Sequence, residues 1–387
     1  MSAEKSVIPL SIPELGGNAQ AYIMQCLETN FVSSVGPFVE RFEREFAAYV
    51  GSPHAVACAN GTAAIHVALR LLDIGPGDEV WVSDFTFIAS ANPILYERAK
   101  AVLVDSEAET WNLDPERIET ELRRRAACGD PMPKAIMAVH ILGHPAKLAP
   151  IVELCQKYGI TLIEDAAEAL GSSYADGPLA GRQVGTIGRI GCYSFNGNKI
   201  ITSGGGGMIV TAEAELARRA KHLTTQARKP GIEYDHDTYG YNYRLTNLAA
   251  ALGVSQLERL NAYLEKKQAI AARYENGLGD LPGLTLFPHR AWARPSLWLY
   301  SVLLDQEKLG IGSRAMLKKL EEEGIQTRPL WRPLATMAPF AGMPRLGGAV
   351  ADRLFRDGLS LPCSVGLSES DQFRVIEAFR KAAGHSF

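Results

Sequence analysis

The sequence lacks any hydrophobic run long enough to cross a membrane. Among its 387 residues, no apolar stretch reaches the roughly 18 residues that a membrane-spanning helix needs. Residues 1–15, MSAEKSVIPLSIPEL, also lack the apolar core of a secretory signal peptide. These absences exclude a helical membrane protein, and we expect a cytoplasmic protein with no membrane partner.

Cysteines are few and unpaired in sequence, and neither sign of charge dominates. The 6 cysteines include no C-x-x-C pair, which argues against a disulfide framework or a cysteine-based zinc site, so no metal is predicted. The 40 basic and 43 acidic residues give a net charge of −3 without a basic stripe, which argues against a nucleic-acid partner. An apolar content of 47% excludes general disorder. Enzymes, small-molecule binders and structural subunits remain.

Apolar segments alternate with helical patterns through the first two thirds of the chain. The segments EVWVSD (79–84), AVLVD (101–105), AIMAVHIL (135–142) and TLIED (161–165) have the composition of buried strands. The helices predicted between them make this a doubly wound, largely parallel α/β sheet. Four consecutive glycines, 204–207, predict a tight turn or a close approach of two backbones.

The pattern changes near residue 245, where a long helical stretch begins. We expect this stretch to form two helices hinged near Gly253, followed by a smaller α/β unit. We therefore predict a large domain over residues 1–250 and a small C-terminal domain over residues 251–387.

The stretch SFNGNKIITSGGGGM (194–208) places Lys199 just before the glycines and between two apolar strands. A single lysine is most often a solvated surface charge. At a buried sheet edge, however, desolvation lowers the pKa of a lysine, which can then act as a base or form a Schiff base with a carbonyl cofactor. The flanking strands favour this second interpretation.

Asp165 ends a predicted buried strand, at the edge of the sheet where ligands bind in open α/β folds. One interpretation is a cap for a following helix. The other is the carboxylate that pyridoxal phosphate requires opposite its ring nitrogen.

Two further segments carry weaker signals. Gly61 and Thr62 open a helix, where backbone N–H groups and a hydroxyl can cradle a phosphate, although an ordinary helix start has the same composition. Phe85 and Phe87 follow a strand, and one of them could lie flat on a cofactor ring or simply pack in the core.

Taken in order, these segments resemble the DegT/DnrJ/EryC1/StrS sugar aminotransferases from about Ile8 to Phe379. The matching segments are GPFVERFEREFAAYVG, NGTAAIHVAL, GPGDEVWVSDFTFIAS, TWNLDPE, IEDAAEALG, SFNGNKIITSGGGGM and GYNYRLTNLAAALGVSQLE. The resemblance implies the aspartate aminotransferase fold (fold type I), pyridoxal 5'-phosphate as cofactor and L-glutamate as amino donor.

The resemblance also implies a role for each matching position around the cofactor ring. Lys199 would be linked to the cofactor and would move the proton. Asp165 would pair with the ring nitrogen, and Phe87 would stack on the ring. Glu168 would lie near the phenolic oxygen.

The phosphate would be held by a second group of residues. Gly61, Thr62 and Ser194 would surround it, and Asn196 is assigned to the same cofactor site. Asn242 would reach the phosphate of the partner subunit, so that a homodimer would share its active sites. A simpler interpretation makes Asn242 a cap for the helix that starts near Thr246.

Three segments resemble the branch that aminates C4 of UDP-2-acetamido-2,6-dideoxy-4-hexulose, in the bacillosamine and legionaminic acid pathways. They are HLTTQARKPGIEYDHDTYGYNYRLTN, EEGIQTRPLWRP and LFRDGLSLPCSVGLSESD. GDP-perosamine synthases share Glu168, GYNYR and TRP, so this second branch is the alternative to the UDP-sugar branch. Arg328 and Arg332 are candidates to bind a diphosphate or the glutamate carboxylate, or are surface arginines. Ala335 replaces a histidine that relatives usually have near the substrate.

Three other functions fit less well. In the sugar dehydratases of this fold, histidine replaces the lysine that is retained here as Lys199. A nicotinamide dehydrogenase needs G-x-G-x-x-G ahead of a helix, and no helical pattern follows the glycines at 204–207. The intact Lys199, Asp165 and Thr62 also argue against a non-enzymatic subunit.

Overall fold

The computed structural model describes residues 6–385. The helices of this range are α1 (Ala19–Glu28), α2 (Pro37–Val50), α3 (Gly61–Leu71), α4 (Asn92–Tyr96), α5 (Pro115–Cys128), α6 (Leu148–Tyr158), α7 (Ala214–Thr224), α8 (Asn247–Leu257), α9 (Leu260–Leu278), α10 (Gln306–Leu309), α11 (Ser313–Glu322), α12 (Ala349–Asp357) and α13 (Glu369–Ala382). The strands are β1 (His54–Cys58), β2 (Glu79–Ser83), β3 (Lys100–Val104), β4 (Ala135–Val139), β5 (Thr161–Asp165), β6 (Ser173–Tyr174), β7 (Ile190–Ser194), β8 (Gly207–Thr211), β9 (Leu284–Thr285), β10 (Ala293–Arg294), β11 (Ser301–Leu304), β12 (Arg328–Pro329), β13 (Arg345–Leu346) and β14 (Gly358–Ser360).

The main sheet within residues 6–385 has 8 strands in the order β1-β8-β7-β5-β4-β2-β3-β13. Its central strands run parallel, and β8 is antiparallel to both β7 and β1. Every residue of β4 is buried, as expected for a strand covered on both faces. This arrangement confirms the predicted, largely parallel α/β sheet.

A second sheet, formed by the C-terminal part, has the order β12-β14-β11-β9 and is antiparallel. The two parts of the chain are interleaved, because β13 from the C-terminal part adds to the main sheet beside β3. Helix α8 packs against α1 and α2. The domain division at residue 250 stays a prediction.

The long helical stretch divides between α8 and α9, at residues 258–259, and not at Gly253. Gly253 lies inside α8, where a Cβ atom would come within 2.8 Å of the Phe42 ring. Here the glycine permits close helix packing, so the expected hinge at this position is wrong. Among residues 6–385, no helix is both long and apolar enough to span a membrane.

The glycine run forms the close approach that the sequence predicts. Gly204 and Gly206 have φ angles of +77° and +147°, which other residues rarely adopt. Gly207 begins β8, and a Cβ atom there would lie 2.5 Å from the carbonyl oxygen of Asn60. The turn therefore seats β8 directly against the start of α3, at the edge where β5 and β7 also end.

Candidate active site

A cavity of about 420 Å³ lies at the carboxyl edge of the main sheet and gathers most of the predicted site residues. Its lining includes Gly61, Thr62, Phe87, Asp165, Glu168, Ser194, Asn196, Lys199 and Arg328. Arg332 and Asn242 lie outside this cavity, whose walls come from residues between Leu10 and Ser360.

Asp165 is the last residue of β5 and is 3% exposed. The Ser90 hydroxyl donates to its Oδ2 at 2.7 Å, and the Ala167 N–H donates to its Oδ1 at 3.0 Å. Burial raises the pKa of Asp165, while these two donors and the Lys199 charge oppose the rise. Turns follow Asp165 and not a helix, so its interpretation as a helix cap is wrong.

Lys199 lies in the loop between β7 and β8, and its side chain is only 14% exposed. Its Nζ is 4.0 Å from Oε1 of Glu168 and 3.8 Å from the centroid of the Trp298 indole. Burial lowers the pKa of Lys199, while the Glu168 and Asp165 carboxylates oppose the decrease. This lysine is therefore a cavity group and not a solvated surface charge.

Glu168 is 6% exposed and faces Lys199 across the cavity. Its Oε2 accepts a hydrogen bond from the Leu142 N–H at 2.8 Å. Leu142 has a φ of +55° and lies in the tight turn after β4. Because burial raises the pKa of Glu168 to about 7, this side chain can hold or release a proton near neutral pH.

The start of α3 lines the cavity and lies close against Ser194. Asn60 caps the helix, because its Oδ1 accepts from the Ala63 N–H at 2.8 Å. At Gly61, a Cβ atom would come within 2.8 Å of the Ser194 Cβ, so only glycine fits without displacement. The Thr62 hydroxyl and the positive end of the helix dipole add to a cradle suited to a phosphate.

The two predicted aromatic candidates occupy different environments. Phe85 is fully buried and packs edge-on against Trp331 at 5.5 Å, as in the core-packing interpretation. Phe87 is 54% exposed and lines the cavity. Phe87 is therefore the aromatic that can lie against a bound ring.

The two arginines differ in position. Arg328 begins β12 and lines the cavity, with its Nη1 donating to the Thr327 carbonyl at 2.9 Å. Arg332 is exposed outside it, and its Nε donates to the Thr336 hydroxyl at 2.9 Å. Of the pair, Arg328 is thus the one that a ligand in this cavity would meet.

Asn242 is exposed and forms an isolated bridge with Thr225. Its Oδ1 accepts long hydrogen bonds of 3.4 Å from the Arg244 guanidinium. The cap of α8 is Thr246, whose hydroxyl accepts from the Ala249 N–H at 3.2 Å. The interpretation of Asn242 as the helix cap is therefore wrong.

Ala335, which replaces a common histidine, lies in the 3₁₀ turn Leu334–Thr336. Its N–H donates to Oδ1 of Asp84 at 2.8 Å, and Arg345 binds the other oxygen of that buried carboxylate at 2.7 Å. The backbone of this segment is therefore bonded to the main sheet through a contact that does not involve the side chain at position 335.

Sequence reasoning missed the residues that support the predicted ones. Ser90 holds Asp165, the Leu142 N–H holds Glu168, and Trp298 covers the Lys199 nitrogen. Trp331 stacks on Trp298 at 6.3 Å with an interplanar angle of 15°. Each of these supporting residues lies far in sequence from the residue that it contacts, so no local sequence pattern predicts the contact.

Comparison with known proteins identifies the family of the chain. The sequence model of the DegT/DnrJ/EryC1/StrS aminotransferase family matches residues 13–380. The Bacillus subtilis (strain 168) protein named "Putative pyridoxal phosphate-dependent aminotransferase EpsN" is 44% identical over 376 residues, covering 96% of this chain and 94% of the relative. The GDP-perosamine synthase of Caulobacter vibrioides is 40% identical over 372 residues, covering 96% and 97%.

The fold matches solved structures of the same family. A crystal structure of a DegT DnrJ EryC1 StrS aminotransferase from Brucella abortus superimposes with a TM-score of 0.87 at 29% identity, covering 95% of each chain. This similarity confirms the predicted fold type I. The chain therefore belongs to the DegT/DnrJ/EryC1/StrS aminotransferase family and is a pyridoxal-phosphate-dependent sugar aminotransferase.

Proposed function

We propose that the protein transfers the amino group of L-glutamate to C4 of a nucleotide-linked 4-keto-6-deoxy sugar. The proposed acceptor is UDP-2-acetamido-2,6-dideoxy-4-hexulose, and the products are the UDP-4-amino sugar and 2-oxoglutarate. The observation that carries the proposal is the grouping of Lys199, Asp165 and the Gly61–Thr62 helix start around one cavity of about 420 Å³.

These residues fit the cofactor. Gly61 lets the start of α3 lie close against Ser194, so that the helix start and the Ser194 hydroxyl line the same part of the cavity and suit a phosphate, and the fixed Asp165 carboxylate suits a ring nitrogen. When bound, pyridoxal phosphate supplies an aldehyde that accepts an amino group and a protonated ring that withdraws electrons. Asp165 would keep that ring nitrogen protonated, while Phe87 would cover the ring face.

Two side chains can handle protons in the cavity. Lys199 Nζ would take a proton from one carbon and return it to another, because its lowered pKa makes the neutral amine accessible. Glu168, 4.0 Å away, would hold a proton near the phenolic oxygen. Arg328 would bind a carboxylate or diphosphate, whereas Arg332 lies outside the cavity and is bound to the Thr336 hydroxyl.

A second candidate acceptor is GDP-4-keto-6-deoxymannose. The observation favouring it is the 40% identity to the Caulobacter vibrioides GDP-perosamine synthase over nearly the whole chain. Incubation with L-glutamate and matched UDP- and GDP-4-keto-6-deoxy sugars, followed by mass spectrometry, tests both. The proposal predicts an amino sugar mainly from the UDP substrate. Amination of the GDP sugar alone would favour the second candidate, and amination of neither would contradict both.

We further propose a homodimer, located in the cytoplasm, in which Asn242 serves the phosphate of the partner subunit. Its exposure outside its own cavity is consistent with this role. Subunits carrying Lys199→Ala and Asn242→Ala, each impaired alone, are mixed after reversible dissociation. If sites are shared, a mixed dimer places both defects in one site and leaves the other intact, so activity recovers. Confirmed mixed dimers without recovery would contradict the sharing.

A further inference from the structure

The Lys199 ammonium group has an aromatic neighbour as close as any carboxylate. Its Nζ lies 3.8 Å from the centroid of the Trp298 indole, within the range of a cation–π contact. The nearest carboxylate contact is with Oε1 of Glu168, at 4.0 Å. Trp298 is 4% exposed, so its side of the contact is shielded from water. A cation–π interaction is stronger when desolvated than at an exposed site.

Trp298 is fixed so that this face cannot easily turn away. Its Nε1–H donates to the Asn198 carbonyl at 2.6 Å, which ties the indole to the residue preceding the lysine. Its own carbonyl accepts from the buried Lys267 Nζ at 2.8 Å, and Lys267 also donates to the Cys363 carbonyl. Trp298 is thus hydrogen-bonded through the edge of its indole and through its backbone carbonyl, while the face of the ring contacts Lys199.

We propose that Trp298 is a positioning residue whose indole face holds the unlinked, protonated side chain of Lys199 in the cavity. The inference rests on the proposed function, because it concerns the lysine assigned to the cofactor. The negative face of an aromatic ring attracts an ammonium group but not a neutral amine. Trp298 therefore favours the protonated form and lowers the fraction of neutral amine at a given pH.

Other charged groups face the same nitrogen and must be considered with the ring. Glu168 and Asp165 favour the ammonium form through their negative charges, and the Arg328 guanidinium lines the same cavity. Desolvation opposes the charge. The contribution of Trp298 can be separated from these, because weakening its ring leaves the charged groups in place.

The test replaces Trp298 with increasingly fluorinated tryptophans in the full-length, cofactor-free protein. Fluorine withdraws electron density from the ring face and keeps the shape of the indole. Competitive labelling with acetic anhydride across pH, read by peptide-resolved mass spectrometry, gives the titration midpoint of Lys199, because only the neutral amine reacts. The same substitutions at Trp331 are the matched control, since Trp331 stacks on Trp298 and not on the lysine.

We expect the Lys199 midpoint to fall progressively with fluorination of Trp298, by roughly 0.5–1.5 pH units at full loss of the interaction. Fluorination of Trp331 should leave it unchanged. An unchanged or raised midpoint with Trp298, or an equal shift with Trp331, would overturn the inference. Trp298→Phe, which keeps a weaker aromatic face, should give an intermediate shift.

This outcome is distinguishable from failure of the proposed function. Borohydride reduction of the wild-type protein with pyridoxal phosphate should attach the cofactor to Lys199. If it does not, the proposed function fails, and the labelling experiment still reports on Trp298. If attachment occurs but fluorination has no effect, the inference about Trp298 fails by itself.

Discussion

Replacing Gly61 with alanine tests whether the close approach of the α3 start to Ser194 forms the cofactor's phosphate site. The added Cβ would lie 2.8 Å from Ser194 Cβ and 3.1 Å from its Oγ. Carbon atoms normally pack at about 3.5–4.0 Å, so α3 and the end of β7 must move apart. Both elements are anchored, α3 by its Asn60 cap and β7 by its place between β5 and β8.

Overpacking of this kind costs about 1–3 kcal/mol. If the strain is relieved by separating the two walls of the phosphate cradle, the cost appears in cofactor binding as a roughly 5- to 150-fold higher Kd. Spectrophotometric titration of the cofactor-free variant with pyridoxal phosphate measures this constant, and a thermal melt reports any general loss of stability.

Gly75→Ala is the matched control. Gly75 lies in the turn after α3, and a Cβ atom there would meet nothing within 4 Å. This variant should bind pyridoxal phosphate like the wild type. An unchanged Kd for Gly61→Ala, or an equal loss in Gly75→Ala, would refute the assignment of the phosphate to the start of α3.

Three further predictions concern the cavity. Lys199→Ala should abolish amination and the visible absorbance of the linked cofactor, while some cofactor still binds non-covalently. Asp165→Asn should lower the amination rate by several orders of magnitude, at a tenfold loss per 1.36 kcal/mol of lost transition-state stabilisation, whereas Ser90→Ala should lower it only about tenfold because the carboxylate remains. Burial raises the pKa of Glu168 from its ordinary 4.5 to about 7. The stability that Glu168 contributes is therefore complete below pH 4.5 and is lost as pH rises through 7. Glu168→Gln should remove about 3 kcal/mol of this pH dependence in the cofactor-free protein.

Each of these has a result that would count against it. Wild-type turnover in Lys199→Ala would eliminate the lysine as the reacting amine. Activity within a few-fold in Asp165→Asn would leave that carboxylate with a structural role alone. Unfolding free energies of wild type and Glu168→Gln that run parallel between pH 4.5 and 8 would show that folding does not raise the pKa of Glu168.

Local sequence is sufficient to predict the central strands of the main sheet and the strand ends at which the site lies. Buried parallel strands are continuous apolar runs, so the sequence predicts β4 and β5 and predicts Asp165 at a strand end, where it lies in the structure. The glycine run was equally informative, because the φ angles at Gly204 and Gly206 and the tight contact at Gly207 exclude most other residues.

The rest depends on tertiary packing, which a local pattern does not encode. Gly253 suggested a hinge, but its lack of a side chain instead accommodates the Phe42 ring. Trp298 comes from the C-terminal part of the chain and meets Lys199 only after folding. Arg328 and Arg332 are equivalent candidates in sequence, yet Arg328, which begins β12, lines the cavity, whereas Arg332 lies outside it and binds the Thr336 hydroxyl.

The most direct test of the account follows the amino group itself. The wild-type protein, loaded with pyridoxal phosphate, is incubated with ¹⁵N-labelled L-glutamate and UDP-2-acetamido-2,6-dideoxy-4-hexulose, and the sugar is analysed by NMR. The account predicts ¹⁵N bonded to C4 of the sugar, with 2-oxoglutarate formed in equal amount and neither product formed by Lys199→Ala. A sugar that stays unlabelled, or that loses water instead of gaining nitrogen, would contradict it.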